Sequence, residues 1–353
     1  MAKDTVIHYG YLAGVPYYYS LSLREAGIKS KSIAPFIFDN LGVNKGKESN
    51  RKLPTDEIIY NYDDYKIIKL LKTFKSIIKT IRDAKVIHFY GGSLLPFNLD
   101  LFIFKMFKIP MIITWGGTDI RVISMARKNN KFFYQEEDLN YDNKKKEYLK
   151  KMSKYIDVVA TDAELAEYSS LYFKKIFINK QPCSFDISTT INENIRKDKL
   201  ILLHIPTRKS LKGTQYFIEA TKRLKSEGYE FEFLLLEPSL TQKEMQEKIS
   251  SCDIYLDQLR CGTYGMTAVE AIALGKPTLT YIRDDLISKY PVDLPFVNAN
   301  PENVYEKLKF LLDNEDERLN ISKKGHLYAL KYHSRDAIKT QLIDLYATCG
   351  VDL

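Results

Sequence analysis

Residues 261–277 read CGTYGMTAVEAIALGKP. Gly262 and Gly265 open a loop whose backbone can approach a ligand closely, and Gly275 with Pro277 stops the helix that follows. Within that helix Val269, Ile272 and Ala273 form the stripe expected to face a core. Glu270 lies about 100° around the axis from Val269, which turns it toward a cleft. An ionised carboxylate accepts hydrogen bonds with both oxygens and so suits the two hydroxyls of a ribose. The same residue also reads as a surface acid favoured by the first turns of a helix.

Working outward, the second half alternates short strands with helices: strand 200–204, helix 213–227, strand 230–236, helix 241–250, strand 252–257, helix 264–274 and strand 277–282. Thr241 and Glu244 form a capping box that starts one of these helices. Three more helices are expected from about Pro301. The first half shows the same alternation. Strands are expected at 5–9, 32–38, 85–90, 111–115, 155–160 and 175–178, with helices ending near Gly27 and spanning 63–82 and 95–107. Such alternation predicts an α/β chain of parallel sheets covered by helices on both faces. Between Lys180 and Lys199 the pattern breaks, giving two doubly wound domains whose ligands belong in the cleft between them.

The 353 residues are enough for two domains. The net charge of +8 is unevenly placed: residues 1–200 hold 33 Lys and Arg against 23 Asp and Glu, the remainder 20 against 22. The first half therefore favours an anionic partner. Cys183, Cys252, Cys261 and Cys349 show no paired spacing, which fits a reducing compartment better than a disulfide framework. Asp4 and His8 interrupt any secretory leader, and the apolar region 94–115 is too polar to span a bilayer. The five histidines (His8, His88, His204, His326 and His333) are not at ligand spacing with Cys or acids, and no Asp-x-Asp occurs. No metal is expected.

After strand 200–204 comes His204-Ile-Pro-Thr-Arg-Lys-Ser-Leu-Lys-Gly-Thr214, in which Arg208, Lys209 and Lys212 gather just before a helix. A phosphate would be held there by side-chain charge and helix N–H groups together; the alternative is a solvated basic loop. This loop, followed some fifty residues later by Gly-x-x-x-x-Glu-Ala-x-Ala-x-Gly-x-Pro, resembles the donor domain of glycosyltransferase family 4. Ala13-Gly-Val-Pro16 is similar to that family's first-domain Gly-rich loop, and Thr114-Trp-Gly-Gly-Thr-Asp-Ile-Arg121 to its Gly-x-Asp segment.

The resemblance implies a GT-B fold, a nucleotide-sugar donor, retention at the anomeric carbon, and no cofactor or essential metal. It implies an acceptor domain at 1–183, a linker at 184–198, a donor domain at 199–334, and a helix at 335–353 returning to the first domain. By the same resemblance Arg208 or Lys209 with Lys212 would bind the diphosphate and Glu270 the ribose. The backbone of Gly265, Met266 and Thr267 would approach the donor, and Gly14 would let the first-domain loop come near from the other side. The family places a second glutamate eight positions before the first, where this chain has Gly262.

Asp119 and His88, both at strand ends, are the candidates for catalysis. Asp119 could take or hold an acceptor hydroxyl's proton or cap a helix, and His88 could be catalytic or a core histidine. The segment 63–82 carries Ile67, Ile68, Leu71, Phe74, Ile78 and Ile81 along one face and six cations elsewhere. It is expected to cover the sheet with its apolar side, with contact to an anionic membrane as the alternative. The leading expectation is a cytoplasmic transferase, at the membrane's cytoplasmic face, acting on a glycan or a polyprenyl- or lipid-linked acceptor. The alternatives are a catalytically silent GT-B protein, kept open by Gly262, and a nucleotide-sugar 2-epimerase. Nucleic acid is not an expected partner, because the basic residues lack interleaved aromatics.

Overall fold

The computed structural model describes residues 3–36, 53–135, 140–190, 199–237 and 240–353. The β-branched runs of the first half pair into one parallel sheet. Its strands are β1 (Thr5–Gly10), β2 (Ser30–Ala34), β3 (Glu57–Ile58), β4 (Ala84–Tyr90), β5 (Met111–Thr114), β6 (Val158–Thr161) and β7 (Lys175–Ile178). They lie in the order β3-β2-β1-β4-β5-β6-β7. The connecting helices are α1 (Val15–Glu25), α2 (Lys66–Asp83), α3 (Leu99–Met106), α4 (Ile123–Asn129), α5 (Asn140–Met152) and α6 (Ala163–Ser169). The strand expected at 32–38 ends at Ala34, before Pro35; residues 37 and 38 lie outside the described residues, as do 191–198 of the expected linker.

The second sheet has β8 (Leu200–His204), β9 (Phe231–Leu235), β10 (Ile254–Gln258), β11 (Thr278–Thr280) and β12 (Val297–Asn298), all parallel, in the order β12-β11-β10-β8-β9. Its helices are α7 (Lys209–Lys212), α8 (Thr214–Ser226), α9 (Gln242–Ser251), α10 (Met266–Ala273), α11 (Asp284–Ile287), α12 (Val304–Asp313) and α13 (Glu315–His333). The capping box read at Thr241 and Glu244 is formed. After Ser334, α14 (Arg335–Ala347) lies against the first domain, its Ile338, Leu342, Leu345 and Tyr346 sharing a core with Val15, Tyr19, Leu23 and Val86. Strand order reverses between β1 and β4 in one sheet and between β8 and β10 in the other. Those are the two places where such sheets hold ligands.

One element turns out differently from its sequence pattern. α2 faces the sheet with Thr73, Ser76, Ile77 and Thr80, while Ile67, Leu71 and Ile78 are 69%, 64% and 67% exposed. Phe74 and Ile81 pack only at the edge of the core. The cause is Tyr9 on β1: its buried hydroxyl reaches Ser76 Oγ at 2.8 Å and Thr80 Oγ1 at 2.6 Å. A phenol buried without partners is costly, and satisfying it rolls the helix away from its most apolar orientation.

Candidate active site

The loops at the two reversal points meet in a cleft. A cavity of ≈ 250 Å³ is walled on one side by Leu12, Ala13, residues 114–118, Arg121 and Asp162. On the other side stand Arg208, Lys212, Gln258 and residues 263–266. A larger cavity of ≈ 660 Å³ lies over the first sheet's strand ends, lined by Tyr9, Phe36, Tyr60, Tyr90, residues 91–94 and Asp119, with Arg208 at its boundary. Arg208 thus borders both spaces.

The second-domain wall is built on a buried carboxylate. Asp257, at the end of β10, accepts from Lys212 Nζ at 2.9 Å, from Thr280 Oγ1 at 3.1 Å and from the Gly265 N–H at 3.4 Å. It is 3% exposed, so it holds the Lys212 ammonium at the cavity floor and fixes the start of α10 beside it. His204 ties the same corner together, with Nε2 2.9 Å from Thr214 Oγ1 and Nδ1 2.7 Å from the Leu256 carbonyl. Burial lowers its pKa to about 4, so the ring is neutral at physiological pH. The cavity floor therefore presents two cations, Arg208 and a Lys212 whose charge is offset by Asp257, beside the half-buried first turn of α10.

Of the sequence-predicted donor residues, Arg208, Lys212, Gly265 and Met266 line this cavity together. Gly14 lies beside it, in the left-handed conformation (φ 81°) at the start of α1, where a Cβ would stand 3.1 Å from the Tyr18 ring. Lys209 is turned outward to an exposed ion pair with Glu237 at 2.7 Å. Thr267 is half-buried on α10. Glu270 is 9% exposed and sits at the domain junction, accepting from the Ser184 hydroxyl. Around it Tyr18 of α1 donates to Gln242 Oε1 at 2.6 Å, and Gln242 donates to the Ser184 carbonyl at 2.9 Å.

Asp119 lines the larger cavity and accepts from the N–H groups of Gly116 (2.9 Å) and Gly117 (2.7 Å), holding its own loop rather than capping the next helix. Enclosure of the carboxyl raises its pKa. The cap on α4 comes instead from Asp142 of α5, which takes the N–H groups of Ile123 and Ser124. His88 is fully buried beneath α14, with Nε2 2.8 Å from Thr114 Oγ1 and Nδ1 3.1 Å from Tyr346 Oη. Desolvation keeps it well below the usual histidine range. It lines neither cavity, and of its two readings the placement fits the core histidine, joining β4, β5 and α14.

The position eight residues before Glu270 is closed to a side chain. Gly262 has φ 85°, and a Cβ there would stand 2.7 Å from Arg283 Cγ. Arg283 is 3% exposed and crosses to the first domain, donating from Nη1 and Nη2 to Glu167 of α6 at 2.9 and 2.7 Å. Beside it Asn130 Nδ2 donates to the Arg260 carbonyl at 2.8 Å, and Arg260 Nε to the Phe132 carbonyl at 3.0 Å.

The structure adds residues that sequence reasoning missed. Arg121 lines the cleft and makes a bidentate, buried pair with Glu164 at 2.9 and 2.7 Å. Asp162 caps α6 by accepting from the Leu165 N–H at 2.9 Å and also lines the cleft. Burial, then the neighbouring Glu164, push its pKa up to about 7. The segment Thr161-Asp-Ala-Glu164 directly after a strand was the available signal, since it is a helix start at a strand's carboxyl end.

No protein-family model matches the chain, and no curated protein matches it by sequence. Its fold is similar to that of Anabaena HepE in complex with UDP-glucose (9% identity over 98% of this chain and 100% of that one, TM-score 0.62). It is likewise similar to sucrose-phosphate synthase from Thermosynechococcus elongatus (12% identity, 98% of each chain, TM-score 0.59). A UDP-N-acetylglucosamine 2-epimerase also resembles it (13% identity, 99% and 97%, TM-score 0.53). The fold is GT-B: two Rossmann-like domains facing each other across a cleft.

Proposed function

We propose that the chain is a glycosyltransferase of the family 4 kind, moving a hexose from a nucleotide-sugar donor to a glycan or lipid-linked acceptor in cell-surface polysaccharide or glycoconjugate synthesis. The observation that carries this reading is the cationic corner at the second sheet's reversal point. There Lys212, set by Asp257, and Arg208 stand together at the start of α10. A diphosphate entering that corner gains charge-assisted hydrogen bonds from both side chains. These strengthen as the bond to the sugar breaks and negative charge grows on the leaving phosphate. Positive charge for the leaving group then comes from the protein itself, and the reaction is assigned no metal.

Glu270 is given the ribose hydroxyls by its place in the sequence motif; it lines neither cavity and its carboxylate now takes the Ser184 hydroxyl. The backbone at Gly265, Met266 and Thr267 is given the donor phosphates and sugar, and Gly14 the approach of the first-domain loop. Arg208 is preferred to Lys209 for the diphosphate, since it lines the cleft and Lys209 does not. The acceptor belongs in the larger cavity, where Asp119 shapes the loop facing it. With a retaining course a donor phosphate oxygen takes the acceptor proton, and no protein base is required. Four free cysteines suit a cytoplasmic site of action.

The second reading is a silent GT-B protein. Arg283 packed over Gly262 supports it, because the family's donor-sugar glutamate has no room there. Melting the protein against UDP, GDP, ADP and CMP tests the first reading. A ligand at ~100 times its dissociation constant adds about 2.7 kcal/mol. One nucleotide is expected to raise the midpoint, and Lys212→Ala to weaken that nucleotide at least ten-fold, the scale of one charged hydrogen bond. No shift with any nucleotide in a folded sample sinks the donor site. A shift without sugar transfer to any acceptor selects the silent reading, and interconversion of UDP-sugars without acceptor selects the epimerase.

A further inference from the structure

The roll of α2 leaves a surface that the transfer reaction does not use. Ile67, Leu71 and Ile78, spaced four and seven apart, form one exposed row on α2. α3 carries a second row, Leu99, Phe102 and Met106, 43%, 48% and 65% exposed, with Phe97 at 99% just before it. Both helices pack on the same side of the first sheet, since Ile77 of α2 and Leu101 and Phe104 of α3 belong to one core. The two rows therefore share a face. None of these exposed side chains lines either cleft cavity.

Lysines border the rows: Lys66, Lys69, Lys72, Lys75 and Lys79 on α2, and Lys105 and Lys108 at α3. Acids are few here; Asp64 pairs with Lys72 at 2.6 Å and Glu57 with Lys79 at 3.0 Å. We propose that this face docks on an anionic lipid surface, with the apolar rows entering the headgroup boundary and the lysines meeting lipid phosphates. An apolar stripe flanked by lysines is the pattern of helices that lie in a bilayer interface. Lysine stems can also extend along the apolar stripe while their charges reach the headgroups. A second copy of the chain is a poor occupant, because a self-complementary interface would set these cations against their own kind.

The face also adjoins the larger cavity. Tyr60 lines that cavity, and Lys69 of α2 lies 5.6 Å from its ring centroid; Leu94 lines it too, three residues before Phe97. Docking in this way sets the cavity mouth beside the bilayer, where a lipid-linked acceptor would enter. That last consequence rests on the transferase reading; the docking itself does not.

The test is co-sedimentation of the full chain with vesicles of phosphatidylcholine alone and with phosphatidylglycerol added. The expected result is binding to the anionic vesicles, weakened by salt. A variant carrying Ile67→Ser, Leu71→Ser and Ile78→Ser is expected to lose at least ten-fold in partitioning with its melting midpoint unchanged. A second variant, Lys66→Gln with Lys75→Gln, is expected to lose several-fold and to lose the salt dependence in part. Absence of binding to anionic vesicles at low salt overturns the proposal. So does full binding by both variants, or a dimer in light scattering that the serine variant dissolves. Melting shifts with nucleotides, measured on the same variants, report separately on the donor site.

Discussion

α2 and α8 are both amphipathic helices laid on a parallel sheet, yet they sit on it in opposite ways. α8 buries Phe217, Ala220 and Leu224 and meets the sheet's polar group, His204, with Thr214 at its very start. α2 meets its polar group, the Tyr9 hydroxyl, with Ser76 and Thr80 in its middle. A polar anchor at a helix end leaves the apolar stripe free to choose the core, whereas one in the middle chooses for it. Helix orientation is therefore a compromise between apolar area and a hydroxyl that must be satisfied.

The sharpest way to break this contrast is to truncate one apolar residue on each helix. Phe217→Ala, in a fully buried site, is expected to cost about 3–5 kcal/mol, and Leu71→Ala to stay within about 0.5 kcal/mol. Urea unfolding of the two variants decides it, and equal costs would mean that α2 does pack on its apolar row. Next in size is Tyr9→Phe, which leaves two hydroxyls on α2 without their partner. It should cost about 1–2 kcal/mol, with faster amide exchange confined to α2; unchanged exchange there would sink the anchoring role.

The smallest effect concerns the cleft between the two helices' domains. Asp162, raised to about 7, loses its proton as pH rises through neutrality and adds a negative charge to the cavity wall. Nucleoside diphosphate affinity should fall a few-fold between pH 6 and pH 8 on the scale of about one unit of charge coupling, and stay level in Asp162→Asn. Stability follows the same sign. A carboxyl held above its ordinary value of 3.8 withdraws stability as pH rises from there to about 7, so the Asn variant should gain on the wild type at pH 8. Calorimetric titration at three pH values and matched melts would show whether the slope belongs to Asp162.

Ten of the twelve strands among the described residues were legible as short apolar runs closed by Gly, Pro or a charged loop, whereas β3 and β12, two residues each, carry no run to read. The second-domain wall of the cleft was legible because Arg208 and Lys212 lie at a strand end. What the sequence hid were pairings across long separations. Nothing near Asp257 in the chain announces Lys212, 45 residues away. Gly262 looks like a missing glutamate until Arg283 is seen lying over it. His88 resembles a catalytic group at a strand end because the helix that buries it, carrying Tyr346, comes 258 residues later. The roll of α2 depends on Tyr9, which no periodicity within the helix can reveal.

The return of α14 to the first domain makes the chain cross the cleft twice, and the two crossings are joined. His333 Nδ1 lies 2.6 Å from the Gln181 carbonyl, and the Cys183 N–H donates to the His333 carbonyl at 3.1 Å. Two covalent strands fastened together behave as a single hinge pin, which permits swinging and resists sliding. Turning the domains about residues 181–183 and 333 would part the clasp of Arg283 on Glu167 together with the bonds of Arg260 to Asn130 and Phe132.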